Sequence, residues 1–228
     1  MEPEQIQRII TYVLLLIASV AFHEFGHAFV ADRLGDDTPS RQGRVTLNPL
    51  AHADLIGTVL LPLSFAVFSV AAGGGAGGFG WGKPVQTNPL RYNRRFSMAT
   101  GQVFVAIAGP LMNIVLAVIF AAVHAVLLHQ GVITLGSRLN EVFLIASLMN
   151  FTLFFFNLIP VPPLDGGWVA RRFVPTRHAQ SYESFAVYGP FVLMAIVMIP
   201  VLSYVISAPA RFCAKLLYSV LGLPPFFG

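Results

Sequence analysis

The chain has 228 residues, of which 56% are hydrophobic and 11% are charged, and its formal net charge is +4. Soluble domains carry about 25% charged residues, so the composition excludes an ordinary soluble protein and indicates an integral membrane protein in a lipid bilayer. We assign the positive charge to loops on one side of the membrane and do not infer nucleic-acid binding. The single cysteine, Cys213, excludes an intrachain disulfide.

Four apolar runs are long enough to cross a hydrocarbon core, which takes about 20 residues. They are Ile6 to Leu34, Val103 to Leu128, Val142 to Ile159 and Phe185 to Ile206. A fifth run, Leu55 to Ala72, is borderline, because it contains Gly57 and Pro62 and precedes a glycine-rich hinge at 73–78.

Two shorter segments complete the predicted elements. Gly80 to Val85 indicates a short strand or loop at the interface, or alternatively an edge strand on which Gly82 and Lys83 contact substrate. The segment Ala210 to Leu223 mixes two cations with apolar residues, which favours an amphipathic interfacial helix. We therefore predict an all-α polytopic membrane protein with about four to five transmembrane helices, a re-entrant or membrane-dipping segment, short interfacial strands and a C-terminal amphipathic helix.

The basic residues predict the orientation. Of the 14 Lys and Arg residues, all but Arg8, Arg138, Arg211 and Lys215 lie after the first run, around the borderline run, or after the third long run. The positive-inside rule places these regions in the cytoplasm. Because both flanks of Leu55 to Ala72 are then cytoplasmic, we interpret that run as re-entrant rather than as a complete crossing.

The first apolar run contains His23-Glu24-Phe25-Gly26-His27, which has the form H-E-x-x-H. On a helix, histidines four residues apart share a face and can bind one metal ion, and the glutamate can act as general base towards a metal-bound water. The three residues can occur by chance in a soluble helix. In a membrane helix, however, ionisable groups indicate function. His23 lies roughly 25 Å along the helix from Ile6, so the site is predicted within the membrane, towards the cytoplasmic face.

A catalytic zinc site takes three protein ligands and a water, so a third ligand is expected. The candidates in the remaining long runs and their flanks are His124, His129, Glu141, Asp165 and Glu183. Asp165 stands out because it follows the third long run at its cytoplasmic end, while His124 and His129 lie at the outer end of the second. His52 and Asp54 are interpreted as a turn, as neighbours of the ligands or, least favoured, as a metal pair.

A second motif accompanies the first. Asn157-Leu158-Ile159-Pro160-Val161-Pro162-Pro163-Leu164-Asp165-Gly166-Gly167 has the form N-x-x-P-x-P-x-L-D-G-G. Together the two motifs resemble the signatures of the site-2 protease family of intramembrane zinc metalloproteases, and family-like stretches between them extend the resemblance over most of residues 20 to 170. The outer loop between the second and third long runs is only about a dozen residues, which leaves no room for the PDZ-like peptide-binding domain of larger relatives.

The resemblance implies one Zn²⁺ per chain bound by His23, His27 and Asp165, with Glu24 as general base and transmembrane segments of other proteins as substrates. It also implies that Asn157 contacts substrate or the developing oxyanion. Pro160 and Pro162 interrupt the helix, so the extended chain there is expected to pair with an unwound substrate. The alternative is a membrane metal transporter or scaffold that uses the same ligands. We predict one domain, 1–228, with a catalytic core at about 6–170 and an added span and interfacial helix at 171–228, in the cell membrane.

Overall fold

The computed structural model describes residues 2–74, 77, 78, 80–224 and 226. Within those ranges the chain is helical, and no β-strand is formed. It divides into two compact units, Met1–Asn93 and Arg94–Gly228. Three helices are long and apolar enough to span a membrane: Pro3–Arg33, Met98–His129 and Arg138–Asn157.

The first unit is organised around helix α1, Pro3–Arg33. Its start is fixed by Pro3 in the first turn and by a capping box between Glu2 and Gln5. Gly35, with φ of 99°, turns the chain after the helix, where its left-handed conformation favours glycine. Two short helices, α2 (Thr38–Arg41) and α3 (Pro49–His52), follow.

A hairpin then packs beside α1. Its first arm is a π-helical turn, Leu55–Leu60, continued by α4, Leu61–Ala71. Ala66 and Val70 pack against Ile9, near the start of α1, and the Tyr12 hydroxyl bonds to Gly78 on the returning arm. Backbone hydrogen bonds join the two ends of the hairpin, from Trp81 N to Gly57 O at 2.9 Å and from Lys83 N to His52 O at 2.9 Å. The chain thus leaves the hairpin beside the point at which it enters.

The second unit is built on α5 (Met98–His129) and α6 (Arg138–Asn157), each capped at its start by a serine, Ser97 or Ser137. Between them, the fully buried amide of Asn113 donates to the equally buried Asn150 side chain at 2.9 Å. In a membrane, an apolar side chain gains little by moving from lipid to a helix interface. A side-chain hydrogen bond of this kind therefore helps to hold two apolar helices together.

Four further α-helices follow in the second unit. They are α7 (Asp165–Arg171), α8 (Ala179–Ala186), α9 (Gly189–Met198) and α10 (Pro200–Val220). On α10, the fully buried Ala210 and Ala214 pack against Ala117 and Phe151 of the two long helices. The C-terminal helix is therefore longer than predicted, and α5 and α6 cover one of its apolar faces.

Three predictions about the fold need correction or fall partly outside the described residues. Phe185 to Ile206 is not one spanning helix, since the chain breaks before Pro190 and again at Pro200, where proline ends the preceding hydrogen-bond pattern. Of the two alternatives at Gly80 to Val85, the structure has the loop and not the strand, because the N–H groups of this extended segment bond to carbonyls of helical residues and to Glu24. The 73–78 hinge includes positions 75 and 76, which lie outside the described residues.

Candidate metal centre

The first unit brings two imidazoles together on a buried face of α1. His23 and His27 are each 9% exposed, and their Nε2 atoms lie 3.1 Å apart. Two nitrogens bound to one tetrahedral zinc at about 2.05 Å would be separated by roughly 3.3 Å. The pair therefore has the spacing that a shared zinc ion requires. The same separation also permits an imidazole-to-imidazole hydrogen bond when one Nε2 carries a proton.

Glu24 lies on the same helix and is held by the returning arm of the hairpin. The Val85 N–H donates to Glu24 Oε2 at 3.1 Å. Gly82 passes so close to α1 that a Cβ atom there would lie 2.6 Å from Val20 Cγ1 and 3.2 Å from Glu24 Cγ. The carboxylate is buried, and the extended segment 82–85 lies directly against it.

The second unit places Asp165 at the start of α7, after the proline-containing loop that ends α6. This loop is tightly packed on the two glycines that follow the aspartate. A Cβ atom on Gly166 would approach Leu158 O to 2.3 Å, and one on Gly167 would approach Pro162 N to 2.5 Å. The D-G-G sequence is thus required by close backbone approach, which fixes where α7 begins and where the Asp165 carboxylate emerges.

Each of the three predicted ligands offers one donor atom: an imidazole nitrogen from His23 and from His27 in the first unit, and a carboxylate oxygen from Asp165 in the second. Two imidazole nitrogens and one carboxylate oxygen are the protein ligands of a catalytic zinc site that keeps one position open for water. Neither a thiolate nor a cage of oxygen ligands is offered, so the chemistry of the set fits zinc rather than calcium or magnesium.

The other candidates for the third ligand are engaged elsewhere in the second unit. His124 uses both ring nitrogens, Nδ1 with the Tyr218 hydroxyl at 3.0 Å and Nε2 with Asn140 Oδ1 at 3.1 Å. His129 contacts the Leu221 carbonyl at 3.1 Å, and Glu183 pairs with Arg171 at 3.0 Å. Glu141 lies in the first turn of α6, at the end of that helix opposite to Asp165.

The predicted substrate residues fall in both units. Gly82 and Lys83 lie on the segment beside Glu24, and Lys83 is exposed. Pro160 and Pro162 lie on the loop before Asp165. Asn157 is the last residue of α6, and its Nδ2 donates to Leu153 O at 2.9 Å.

Sequence reasoning missed the residues that support these groups. Val85 acts through its backbone N–H, which leaves no signal in the sequence. Arg44 is buried, whereas the sequence indicates only that it is one of the basic residues on the cytoplasmic side. His52 bonds to Thr46 O, and Asp54 accepts from Gly57 N at 2.7 Å, so for Asp54 the structure agrees with the interpretation of a turn.

A cavity also escaped sequence analysis. It has a volume of about 490 Å³ and opens beside the Asp165 loop within the second unit, with a largely apolar lining. The residues that form it are Pro162, Pro163, Gly167, Trp168, Arg171, Tyr182, Glu183, Ala186, Val187 and Pro190. On its wall the Tyr182 hydroxyl donates to Gly167 O at 2.6 Å.

Three long apolar helices, one of which carries a buried H-E-x-x-H face, define a membrane metalloprotease as the class of this protein. The family model described as "Peptidase family M50" matches residues 130–200. The chain is 36% identical over 198 residues to YwhC of Bacillus subtilis, a candidate zinc metalloprotease, and the match covers 85% of this chain and 83% of YwhC. The chain therefore belongs to the M50, or site-2 protease, family of zinc metalloproteases.

More distant relatives share only part of their length with this chain. The candidate zinc metalloproteases named Rip2 from Mycolicibacterium smegmatis and Mycobacterium tuberculosis (strain H37Rv) are 33% and 32% identical over 158 residues. Each match covers 66% of this chain and 52% of the Rip2 protein. No solved structure matches the chain significantly.

The packing of Gly82 against α1 predicts the effect of a single methyl group. Gly82→Ala should push the 82–85 segment away from Glu24, since the added Cβ would lie 2.6 Å from Val20 Cγ1. Overpacking of this kind costs about 1–3 kcal/mol, and if the strain falls on the carboxylate the rate of peptide hydrolysis should drop roughly 5- to 100-fold. The measurement is proteolysis of a single-span membrane protein by the purified enzyme.

The matched control is Gly136→Ala, where a Cβ atom would meet nothing within 4 Å. That variant should retain the unmodified rate. Equal rates for Gly82→Ala and Gly136→Ala would show that the 82–85 segment is not fitted against Glu24.

Proposed function

We propose that the protein is an intramembrane endopeptidase that binds one Zn²⁺ through His23, His27 and Asp165 and cuts transmembrane segments of other proteins. The observation that carries this proposal is the pair of Nε2 atoms 3.1 Å apart, buried on an apolar helix, with Glu24 next to them. Membership of the M50 family supports the same chemistry.

Bound zinc would lower the pKa of a coordinated water to about 7 and polarise the scissile carbonyl. The residues of the chain supply the rest. Val85 N–H fixes Glu24 Oε2 at 3.1 Å, which orients the carboxylate so that its other oxygen can accept the water's proton. The protonated Glu24 then donates that proton to the leaving amine.

Asn157 is proposed to donate a hydrogen bond to the developing oxyanion, the role expected of a side-chain amide beside a tetrahedral intermediate. Its Nδ2 bonds to Leu153 O before substrate enters, so the side chain has to turn away from its own helix to take this role.

Substrate must be unwound before it is cut, and the extended segment 82–85 is proposed to hold it. The N–H groups of Trp81 and Lys83 bond inward, to Gly57 O and His52 O. Backbone N–H and C=O groups alternate in direction from one residue to the next along extended chain. Those of Gly82 and the carbonyl of Pro84 are therefore directed to the edge opposite to the Trp81 and Lys83 N–H groups. An unwound substrate would pair with that edge by β-augmentation. Pro160 and Pro162, in the second unit, are proposed to contact the substrate as well.

Replacing the proposed base tests the mechanism. Glu24→Gln should retain zinc and the apparent melting temperature but lose turnover by at least 10²–10⁴-fold, because the amide cannot accept the water's proton. The measurement compares membrane-protein fragments, by mass spectrometry, from cells that express the unmodified chain or the Glu24→Gln chain. Purified protein is then used to assay one substrate found in that comparison.

The control is Glu4→Gln, in the first turn of α1 and remote in sequence from the motif, which should give the unmodified fragment pattern. Cleavage by Glu24→Gln at a rate near that of the unmodified enzyme would refute the mechanism. Identical fragments from the two cultures, together with metal transport that survives in Glu24→Gln, would favour the transporter.

The protein is proposed to be a multi-pass protein of the cell membrane with its active site towards the cytoplasm. The hairpin supports the re-entrant interpretation of Leu55 to Ala72, because its ends are hydrogen-bonded to each other. Its helical arm of 17 residues would reach about 25 Å, less than the 30 Å of a typical hydrocarbon core.

Single cysteines in a Cys213→Ser background test this orientation. Cysteines beside Arg44, Arg94 and Arg177 should react with an impermeant maleimide only from the cytoplasmic side, and one at Gln130 only from outside. The prediction rests on the basic residues that flank the spans. Labelling of the Arg44 and Arg94 positions from opposite sides would make Leu55 to Ala72 a complete crossing.

A further inference from the structure

We infer that Arg44 and His52 are positioning residues, which hold the 82–85 segment against Glu24 and so set the orientation of the catalytic base. This inference rests on the proposed function for Glu24. All the residues that carry it lie in the first unit.

Arg44 is buried, with 6% of its surface exposed. Its guanidinium donates through Nη1 to Ala51 O and, at 3.4 Å, to Lys83 O. A buried guanidinium is costly unless its donors are hydrogen-bonded. Here Arg44 connects the loop that carries α3 to the segment that lies on Glu24.

His52 is more deeply buried, at 1% exposure. Its Nε2 lies 2.8 Å from Thr46 O, and because a carbonyl can only accept, Nε2 carries the proton. This side-chain bond ties the end of α3 to the loop before it. The backbone carbonyl of His52 then accepts from Lys83 N at 2.9 Å.

Lys83 is therefore held at both ends of its backbone, its N–H by His52 and its carbonyl by Arg44. Two residues further on, Val85 N–H donates to Glu24 Oε2. Lys83 and Val85 are only about 7 Å apart in extended chain, which advances about 3.3 Å per residue, and Pro84 between them has a fixed φ. A displacement of the Lys83 backbone therefore also moves the Val85 N–H. A shift of Lys83 thus becomes a shift of the donor that orients Glu24.

This arrangement explains a buried charge that neither binds the metal nor contacts Glu24 in the mechanism. Arg44 and His52 act through Lys83 and Val85, so their loss should lower kcat more than it raises KM. Misplacement of a catalytic group by about 1 Å can cost on the order of 100-fold in rate.

The experiment combines a structural readout with kinetics. In a Cys213→Ser background, a nitroxide is attached at Lys83→Cys, a position whose side chain is exposed. The electron paramagnetic resonance line shape is then compared with and without Arg44→Gln. We expect a more mobile label in Arg44→Gln, with zinc content unchanged. Without the spin label, Arg44→Gln should show kcat reduced about 10- to 100-fold and KM changed less.

The matched control is Arg41→Gln. Arg41 is 70% exposed and pairs with Asp37 at 2.6 Å on the surface of the same loop region. It should leave label mobility and kcat unchanged, since exposed ion pairs contribute little.

Wild-type label mobility and kcat in Arg44→Gln would overturn the inference. Should Arg44→Gln fail to fold, Arg44→Lys decides, because its ammonium keeps the charge but ends one bond short of Nη1, the atom that donates to both carbonyls. Arg44→Lys should show intermediate label mobility and a lower kcat than the unmodified enzyme, and wild-type values would overturn the inference.

If the unmodified enzyme cleaves no membrane protein, the proposed function fails instead, while label mobility still reports on the 82–85 segment.

Discussion

The structure depends on one constraint: ionisable side chains lie within an apolar helix, where they need partners. His23, Glu24 and His27 are buried on α1, and the residues that immediately precede them in the helix are mostly apolar. An unpaired imidazole or carboxylate at that depth would be strongly unfavourable. Pairing of the two Nε2 atoms stabilises the imidazoles, and the Val85 hydrogen bond stabilises the carboxylate. A metal bound by the imidazoles would stabilise them further.

Both units also depend on glycines at which the backbone lies very close to neighbouring atoms. Gly82 lets extended chain lie on Glu24 in the first unit, and Gly166 and Gly167 let the Asp165 loop fold onto itself in the second. In each case a glycine permits a polar backbone group to reach a position that a Cβ atom would block. Gly82, Gly166 and Gly167 thus set the positions of the proposed base and the proposed acidic ligand without taking part in the chemistry.

The helix that carries the two histidines and the loop that carries Asp165 could be read from the sequence because their signals are local. The spacing of His23 and His27 on a helix fixes their common face, and the prolines before Asp165 predict where α6 ends. The support for Glu24 could not be read, since Val85 and Lys83 act through backbone atoms whose partners lie 61 and 31 residues away. The single span expected at Phe185 to Ile206 was wrong because hydropathy alone ignores Pro190 and Pro200. The single domain remains a prediction.

Asp165 is proposed to bind the metal together with the two histidines. This ligation is tested most directly by zinc analysis and zinc K-edge X-ray absorption of the purified chain, of Asp165→Ala and of Glu183→Ala, whose carboxylate pairs with Arg171. We expect about one zinc per chain, two nitrogen ligands and oxygen ligands at about 2.0–2.2 Å, with a loss of zinc in Asp165→Ala alone. Full occupancy and an unchanged spectrum in Asp165→Ala would contradict it.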